Sequence, residues 1–171
     1  MSIGAVAAAL LGTADNGSLA QVTNDPQQRS IGNWTYHVVR KPIEDIEFAQ
    51  IYTQARSVSV RDESAFAIRC QSNQVYAILF TNHFFRSTDS IRLRYKVDGK
   101  RATTERWQFV RSEAILMSPH GDYVSRLITS LRKGKTLTIR VSNDDGVLMS
   151  SRYPVNGFDE AIAPISQRCP F

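Results

Sequence analysis

The chain has 171 residues, of which 42% are hydrophobic, and these values favour one globular domain and exclude a disordered chain. Its 21 basic and 16 acidic residues give a formal net charge of +5, which favours anionic partners, although ordinary solvated surfaces are also often basic. The two cysteines, Cys70 and Cys169, are too far apart for a Cys-x-x-Cys redox or zinc motif. They are either two buried thiols or one disulfide, and the compartment decides between these alternatives.

The N-terminal segment is typical of an export signal. Ile3–Gly12 is a mostly apolar run that is about half as long as a membrane-spanning helix, so we predict no transmembrane segment here. Small residues before and at Ala20 provide a cleavage site, although no Lys or Arg precedes the apolar run. We therefore predict a signal peptide over 1–20, with a buried N-terminal helix as the alternative. The polar stretch 21–33 is predicted to be a disordered linker, and 34–171 a single domain.

The strongest strand signal is a pair of apolar runs, Phe66–Cys70 and Val75–Phe80, separated by a polar stretch, Gln71–Gln74. This pattern predicts a β-hairpin with a four-residue loop. The second run is apolar at nearly every position, which is typical of a strand covered on both faces. We therefore expect this hairpin to lie at the centre of a sheet.

A second hairpin is predicted around Asp98 and Gly99. Before this turn, Ile91–Val97 alternates apolar and basic residues, which is the pattern of a strand with one buried and one exposed face. Asp-Gly favours a two-residue turn, because both residues tolerate a positive φ. In that register the predicted cross-strand pairs are Lys96 with Arg101, Arg94 with Thr103, and Arg92 with Glu105.

One face of this second hairpin is predicted to be basic, with an aromatic residue near its end. Cations beside an aromatic side chain can bind phosphates or sugars. The competing interpretation, which we weight more heavily, is a charged face that merely stays solvated, with Glu105 neutralising Arg92. The members of the candidate anion-binding face are Arg92, Arg94, Lys96, Arg101 and Trp107.

Two helices are predicted among the strands. Ser118 as N-cap and Pro119 at the first helical position begin an amphipathic helix over about 119–133. A short C-terminal helix is predicted within Gly157–Cys169, where Pro164 should kink or end it. The predicted fold is therefore mainly β, an antiparallel β-sandwich with one amphipathic helix and a short C-terminal helix.

No pattern in the sequence carries catalytic or metal chemistry. Gly134–Thr136 matches the end of a phosphate-binding loop, but the required upstream glycine is missing. His37, His83 and His120 have no metal-ligand spacing, and Asn143–Gly146 lacks the ligand pattern of a calcium loop. We therefore predict no enzymatic activity, no catalytic residue, no metal site and no cofactor.

Several motifs resemble those of the VasI/TagO family, which are accessory envelope proteins associated with bacterial type VI secretion. The resemblance covers approximately Trp34 to Cys169, and its most specific part is the ending. The chain also resembles, less closely, the invasion-associated locus B family, exported β-sandwiches expected to carry more cysteines. The residues that carry the VasI/TagO resemblance are Trp34, Ala67–Cys70, Val75–Ile78, Arg94–Lys100, Gly157–Pro164 and Cys169.

The VasI/TagO resemblance implies an exported, non-enzymatic accessory protein, periplasmic or secreted, that binds another envelope or secretion protein. The alternative is a module that binds an anionic polymer or a membrane surface through the basic face, and an unrecognised hydrolase ranks third. We do not expect nucleic acid as a partner. Because the signal-like N-terminus indicates an oxidising compartment, we predict a disulfide between Cys70 and Cys169, which closes a loop of about 100 residues and ties the C-terminal segment to the sheet.

Overall fold

The computed structural model describes residues 28–43, 45–56, 63–81, 91–110, 115–118 and 121–171. Two antiparallel sheets enclose one core to which two helices contribute, which confirms the predicted β-sandwich. The predicted signal peptide, and the linker as far as residue 27, lie outside the described residues. The elements are β1 Arg29–Ile31, β2 Trp34–Lys41, β3 Ile46–Gln54, β4 Ser64–Gln71, β5 Gln74–Thr81, β6 Arg92–Val97, β7 Thr103–Arg106, β8 Gln108–Val110, β9 Ile115–Met117, α1 Asp122–Arg132, β10 Thr136–Asn143, β11 Gly146–Pro154 and α2 Phe158–Arg168.

The predicted central hairpin lies in the middle of the larger sheet. This seven-stranded sheet has the order β1-β2-β3-β4-β5-β9-β8, with β4 as its fourth strand. Ala67 and Ile68 are neighbours on β4 and therefore point to opposite faces, yet both are fully buried. The prediction of a central hairpin covered on both faces is confirmed.

The loop of this hairpin is shorter than predicted. Gln71 and Gln74 pair as the last residues of β4 and β5, so Ser72 and Asn73 form the whole turn. Both turn residues have positive φ, 50° and 59°. Two consecutive positive φ angles give a turn whose twist matches that of the flanking strands, and this allows the ladder to continue to its end.

The smaller sheet has the order β11-β10-β6-β7. The hairpin predicted around Asp98 and Gly99 is formed by β6 and β7, and these strands pair one residue away from the predicted register. Arg94 lies opposite Thr104, and Arg92 lies opposite Arg106 rather than Glu105. A slip of one residue turns every side chain of a strand to the other face of its sheet. The predicted pairing is therefore wrong for β7, although β6 alternates between buried and exposed residues as expected.

The burial of Trp107 explains this register. In the observed pairing Glu105 and Trp107 face the core, and the indole is only 5% exposed. Its Nε1 donates a hydrogen bond to the Tyr123 hydroxyl of α1, at 3.3 Å. Asp98 is also engaged elsewhere, since its carboxylate accepts from the backbone N–H of Thr136 at 2.9 Å. Because a large aromatic ring contributes a large apolar area to the core, its burial outweighs an ideal two-residue turn.

Helix α1 begins at Asp122, three residues after the predicted start. Its N-cap is Gly121, with a φ of 87°, and no side chain caps the helix. Ser118, the predicted N-cap, instead extends the pairing of β9 with β5. Its hydroxyl accepts a hydrogen bond from the backbone N–H of Ala77, and its own N–H donates to the Ala77 carbonyl, both at 2.9 Å. The predicted N-cap is therefore wrong, because the sheet takes this hydroxyl first.

Helix α2 continues through Pro164, although a proline at this position was expected to kink or end the helix. The last backbone bond runs from Cys169 N–H to Ile165 C=O at 2.9 Å, one turn beyond the proline. Phe158 and Ile162 are at most 2% exposed and pack into the sandwich core. Tertiary packing of this apolar face compensates for the hydrogen bond that a proline inside a helix removes.

The end of α2 is covalently joined to the central hairpin. The sulfurs of Cys70 and Cys169 lie 1.98 Å apart, as in a disulfide, and the two residues are separated by 99 positions in the chain. The predicted disulfide is confirmed. Such a link fits a protein of an oxidising compartment. Among the described residues, no helix is long and apolar enough to cross a membrane.

The described structure begins before the predicted domain start at Trp34. Strand β1 lies inside the stretch predicted as a linker and pairs with β2. The turn after β1 touches the start of α2, where a Cβ on Gly157 would lie 3.2 Å from the Gly32 Cα. Both glycines have positive φ, 58° for Gly32 and 83° for Gly157. The first hairpin thus lies in close backbone contact with the start of the C-terminal helix, and a side chain on either glycine would force the two segments apart.

Candidate anion-binding face

The outer face of the four-stranded sheet is strongly basic. Leu93, Tyr95 and Val97 of β6 point into the core, so the residues that alternate with them point outward. The neighbouring strands follow the same alternation, and the outward cations are all exposed. We call the following set the basic face: Arg92, Arg94 and Lys96 of β6, Arg106 of β7, Arg140 of β10 and Arg152 of β11.

The cations of the basic face lie in three rows that run across the strands. In the middle row Arg140 is directly opposite Arg94, and in the next row Arg106 is directly opposite Arg92. In the third row Lys96 and Arg152 lie on either side of Thr138. Since residues two apart on a strand are about 6.6 Å apart, the rows form a regular array with two positive charges in each row.

Within the described part of the chain, these charges are poorly balanced. Arg92 pairs with Asp144 at 2.8 Å, and this pair is largely exposed to solvent. Among the described residues, no carboxylate lies within ion-pair distance of the other five cations. Glu105 does not contribute, because the observed register places it on the inner side of β7. Like charges directly opposite each other destabilise a sheet, so a bound anion would remove a cost that the folded protein carries alone.

A shallow pocket of about 240 Å³ lies on this face, at the pair Arg94 and Arg140. Lys96 adds a third cation to its wall, and Thr138 and Ser150 add hydroxyl groups. Guanidinium groups bind carboxylates and phosphates through paired N–H donors, and nearby hydroxyls supply further hydrogen bonds. The pocket is therefore suited to an oxyanion group presented at the surface.

The structure brings together three of the five residues predicted for this face. Arg92, Arg94 and Lys96 lie side by side as expected. Trp107 is a correction, since it is buried in the core and bonded to Tyr123 for the reason given above. Arg101 is also a correction, because it lies in the connection between β6 and β7, ahead of the strand, and lines a neighbouring cleft.

Three cations of the basic face were not predicted from the sequence. Arg140 lies in an alternating segment that the sequence identifies as a strand, so its outward orientation could have been predicted. Its position beside Arg94 could not have been predicted, because the pairing of β10 with β6 joins strands that are distant in sequence. Arg152 joins the face through the pairing of β11 with β10, and Arg106 joins it through the shifted register of β7.

The described residues show no metal site. No three His, Cys, Asp or Glu side chains of the described part come together where a metal ion could bind. His37 is half-buried on the seven-stranded sheet, with its ring centroid 5.4 Å from that of Tyr52. Burial, and to a lesser extent the charge of Arg69, lower the pKa of His37 and favour its neutral form. His83 and His120 lie outside the described residues.

Comparison with known proteins supports the fold. No family model matches the chain, and no curated protein matches it either. Among solved structures, the chain is similar to the crystal structure of invasion associated protein B from Bartonella henselae, with a TM-score of 0.53 and 16% sequence identity. The match covers 82% of this chain and 96% of that chain. At this identity the likeness concerns the fold alone.

Proposed function

We propose that this chain is a non-enzymatic module of the bacterial envelope that binds an anionic polymer through the basic face. The observation that carries the proposal is the pairing of cations across strands, Arg94 with Arg140 and Arg92 with Arg106. A charged surface that served only solubility would gain stability from interspersed carboxylates, whereas this face sets like charges opposite each other.

The geometry of the basic face favours a polymer over a single small anion. Its three rows of cations extend about 13 Å along the strands, at a spacing of two residues. One small anion can bridge only one row, such as Arg94 with Arg140. A chain with regularly spaced negative charges can occupy all three rows and displace counterions from each, which makes its binding strong at low salt and weak at high salt.

Export is supported by two independent features. The Cys70–Cys169 disulfide is a bond that persists in oxidising compartments and is rare in the bacterial cytoplasm. The apolar run near the N-terminus, Ile3–Gly12, has the length of a signal-peptide core. Together they favour the periplasm or the cell exterior, where anionic polymers of the envelope are accessible.

Charge reversal at the centre of the basic face tests the proposal. Arg94→Glu combined with Arg140→Glu should abolish binding to immobilised inorganic polyphosphate and to polygalacturonate, measured at about 50 and 200 mM salt. The control is Arg29→Glu combined with Lys133→Glu, which changes the net charge equally at exposed sites away from this face. The control should bind like the wild type. The proposal fails if the wild type binds neither polymer at low salt, or if the control loses as much binding.

A second candidate is the protein-binding role implied by the VasI/TagO resemblance. It is favoured by the first half of strand β11, which forms one edge of the four-stranded sheet and carries Val147 at 59% exposure. The second half of this edge is already covered, because the Arg152 carbonyl accepts a hydrogen bond from the Arg56 N–H at 2.8 Å. An exposed edge strand can accept a strand from a partner protein. A photo-crosslinking residue at Ser150 should then give one protein adduct in the native host, and Val147→Lys should abolish it. A module that binds only a polymer gives no such adduct.

A further inference from the structure

A second pocket lies directly beside the basic face. It is a cleft of about 230 Å³ between the β6–β7 hairpin and helix α1. Tyr95 and Lys96 line both this cleft and the pocket around Arg94 and Arg140. A ligand that follows the basic face toward α1 therefore reaches the cleft without leaving the protein surface.

The cleft combines an excess of cations with one carboxylate. Lys100, Arg101 and Arg126 are exposed along it, and the described residues place no carboxylate within ion-pair distance of any of them. Glu105 lines the same cleft and is half-buried. The cations can hold one anionic group, and the carboxylate can accept hydrogen bonds from hydroxyl groups of the same ligand.

The wall of the cleft on the core side consists of tyrosines held in fixed orientations. Tyr95 and Tyr123 are 9% and 7% exposed, and their rings meet edge to face with centroids 6.1 Å apart. The Tyr123 hydroxyl accepts the hydrogen bond from Trp107 Nε1 described above. Burial raises the pKa of Tyr123, so the phenol stays neutral. Thr103 and Ser130 add aliphatic hydroxyls to the lining.

We propose that the anionic polymer is an acidic polysaccharide and that one of its sugar-acid units enters this cleft, an inference that rests on the proposed function. A sugar acid carries one carboxylate for the cations and several hydroxyls for Glu105, Tyr95 and Thr103. A linear polyphosphate offers only acceptor oxygens, and Glu105 repels them. The basic face thus binds polyanions in general, and the cleft selects those built from sugars.

The test compares two tetrameric polyanions, tetragalacturonate and tetraphosphate, by titration calorimetry at low salt. Glu105→Gln combined with Arg126→Gln leaves the net charge of the protein unchanged while removing both kinds of cleft interaction. This variant should bind tetragalacturonate about tenfold more weakly, because charge-assisted hydrogen bonds are replaced by neutral ones. Its affinity for tetraphosphate should stay at the wild-type value. Arg126→Gln alone, at an exposed position, gives the same direction of change should the double variant fold poorly.

The control is Lys133→Gln combined with Glu160→Gln, another charge-neutral pair at exposed positions outside the cleft, which should bind both probes like the wild type. A wild type that binds tetraphosphate but not tetragalacturonate overturns the inference and leaves the proposed function standing. The inference is also overturned if the cleft variant weakens both probes equally, or neither. A wild type that binds no polyanion overturns the proposed function itself.

Discussion

The two sheets of the sandwich have outer faces of opposite character. On the seven-stranded sheet, Ala67, Ile78 and Ile115 form an outer cluster in which each residue is fully buried. On the four-stranded sheet, every member of the basic face is exposed. Both outer faces follow from the same alternation of side chains along a strand. We call the first set, with the residues packed on it, the apolar face; those residues are Tyr52, Tyr76, Phe80, Val110 and Met117.

This difference indicates that stability is concentrated in one sheet, while the proposed binding surface belongs to the other. A strand buried on both faces contributes apolar area twice, so the seven-stranded sheet supplies much of the folding free energy. The four-stranded sheet is stabilised by its inner face alone, and its outer face carries repulsive pairs such as Arg94 with Arg140. Substitutions on the two outer faces should therefore affect different measured quantities.

The largest expected effect comes from shortening a side chain of the apolar face. Ile78→Ala should lower the free energy of unfolding by about 2–5 kcal/mol, the usual range for such a change at a fully buried position. Thr138→Ala, at the matched outward position on the smaller sheet, should change it by about 0.5 kcal/mol or less. Urea unfolding measures both. Equal losses would show that the two outer faces contribute alike.

Removing the disulfide, which joins the end of α2 to the seven-stranded sheet, should have the next largest effect. Cys70→Ser combined with Cys169→Ser should lower the free energy of unfolding by about 2–4 kcal/mol, because the open chain has more conformational freedom when unfolded. Hydrogen exchange should increase first in α2, which the bond ties to β4. Polyanion binding to the basic face should not change. If the variant without the disulfide also lost polyanion binding, stability and binding would not depend on different sheets.

A single substitution on the basic face should move stability and binding in opposite directions. Arg140→Glu converts a repulsive cross-strand pair with Arg94 into an attractive one, which should raise the free energy of unfolding by about 0.2–1 kcal/mol. Polyphosphate binding should weaken at the same time. Arg152→Glu makes the same charge change opposite Thr138, so it should weaken binding without the gain in stability. Thermal unfolding and binding are measured on both variants.

The smallest expected effect is a pH dependence from the larger sheet. Burial, then Arg69, lower the pKa of His37 below its ordinary 6.5, so the unfolded state takes up a proton that the folded state resists. The stability that depends on neutral His37 is therefore present above pH 6.5 and is lost as the pH falls below it. His37→Gln should reduce the drop in melting temperature between about pH 7.5 and 5.5. An unchanged drop would assign the dependence to other groups.

Much of the fold could be predicted from the sequence because local patterns specified it. The uninterrupted apolar run Val75–Phe80 identified a strand buried on both faces, and it lies at the centre of the larger sheet. The alternation in Ile91–Val97 identified the exposed cations of β6. The amphipathic spacing of α1 and the disulfide between Cys70 and Cys169 were also predictable. In each case the signal lies within a few neighbouring residues or in the mere number of cysteines.

The composition of the basic face was decided only by tertiary structure. Asp98 and Gly99 favour a turn whose register would place Glu105 beside Arg92. Trp107 is buried in the core instead, and its burial shifts the register of β7 by one residue. Arg140 becomes the neighbour of Arg94 because β10, distant in sequence, pairs with β6. The sequence by itself determined which residues alternate outward on each strand, since that depends on local backbone geometry. Which outward residues meet depends on strand pairing and register, and these are set by how the whole core packs.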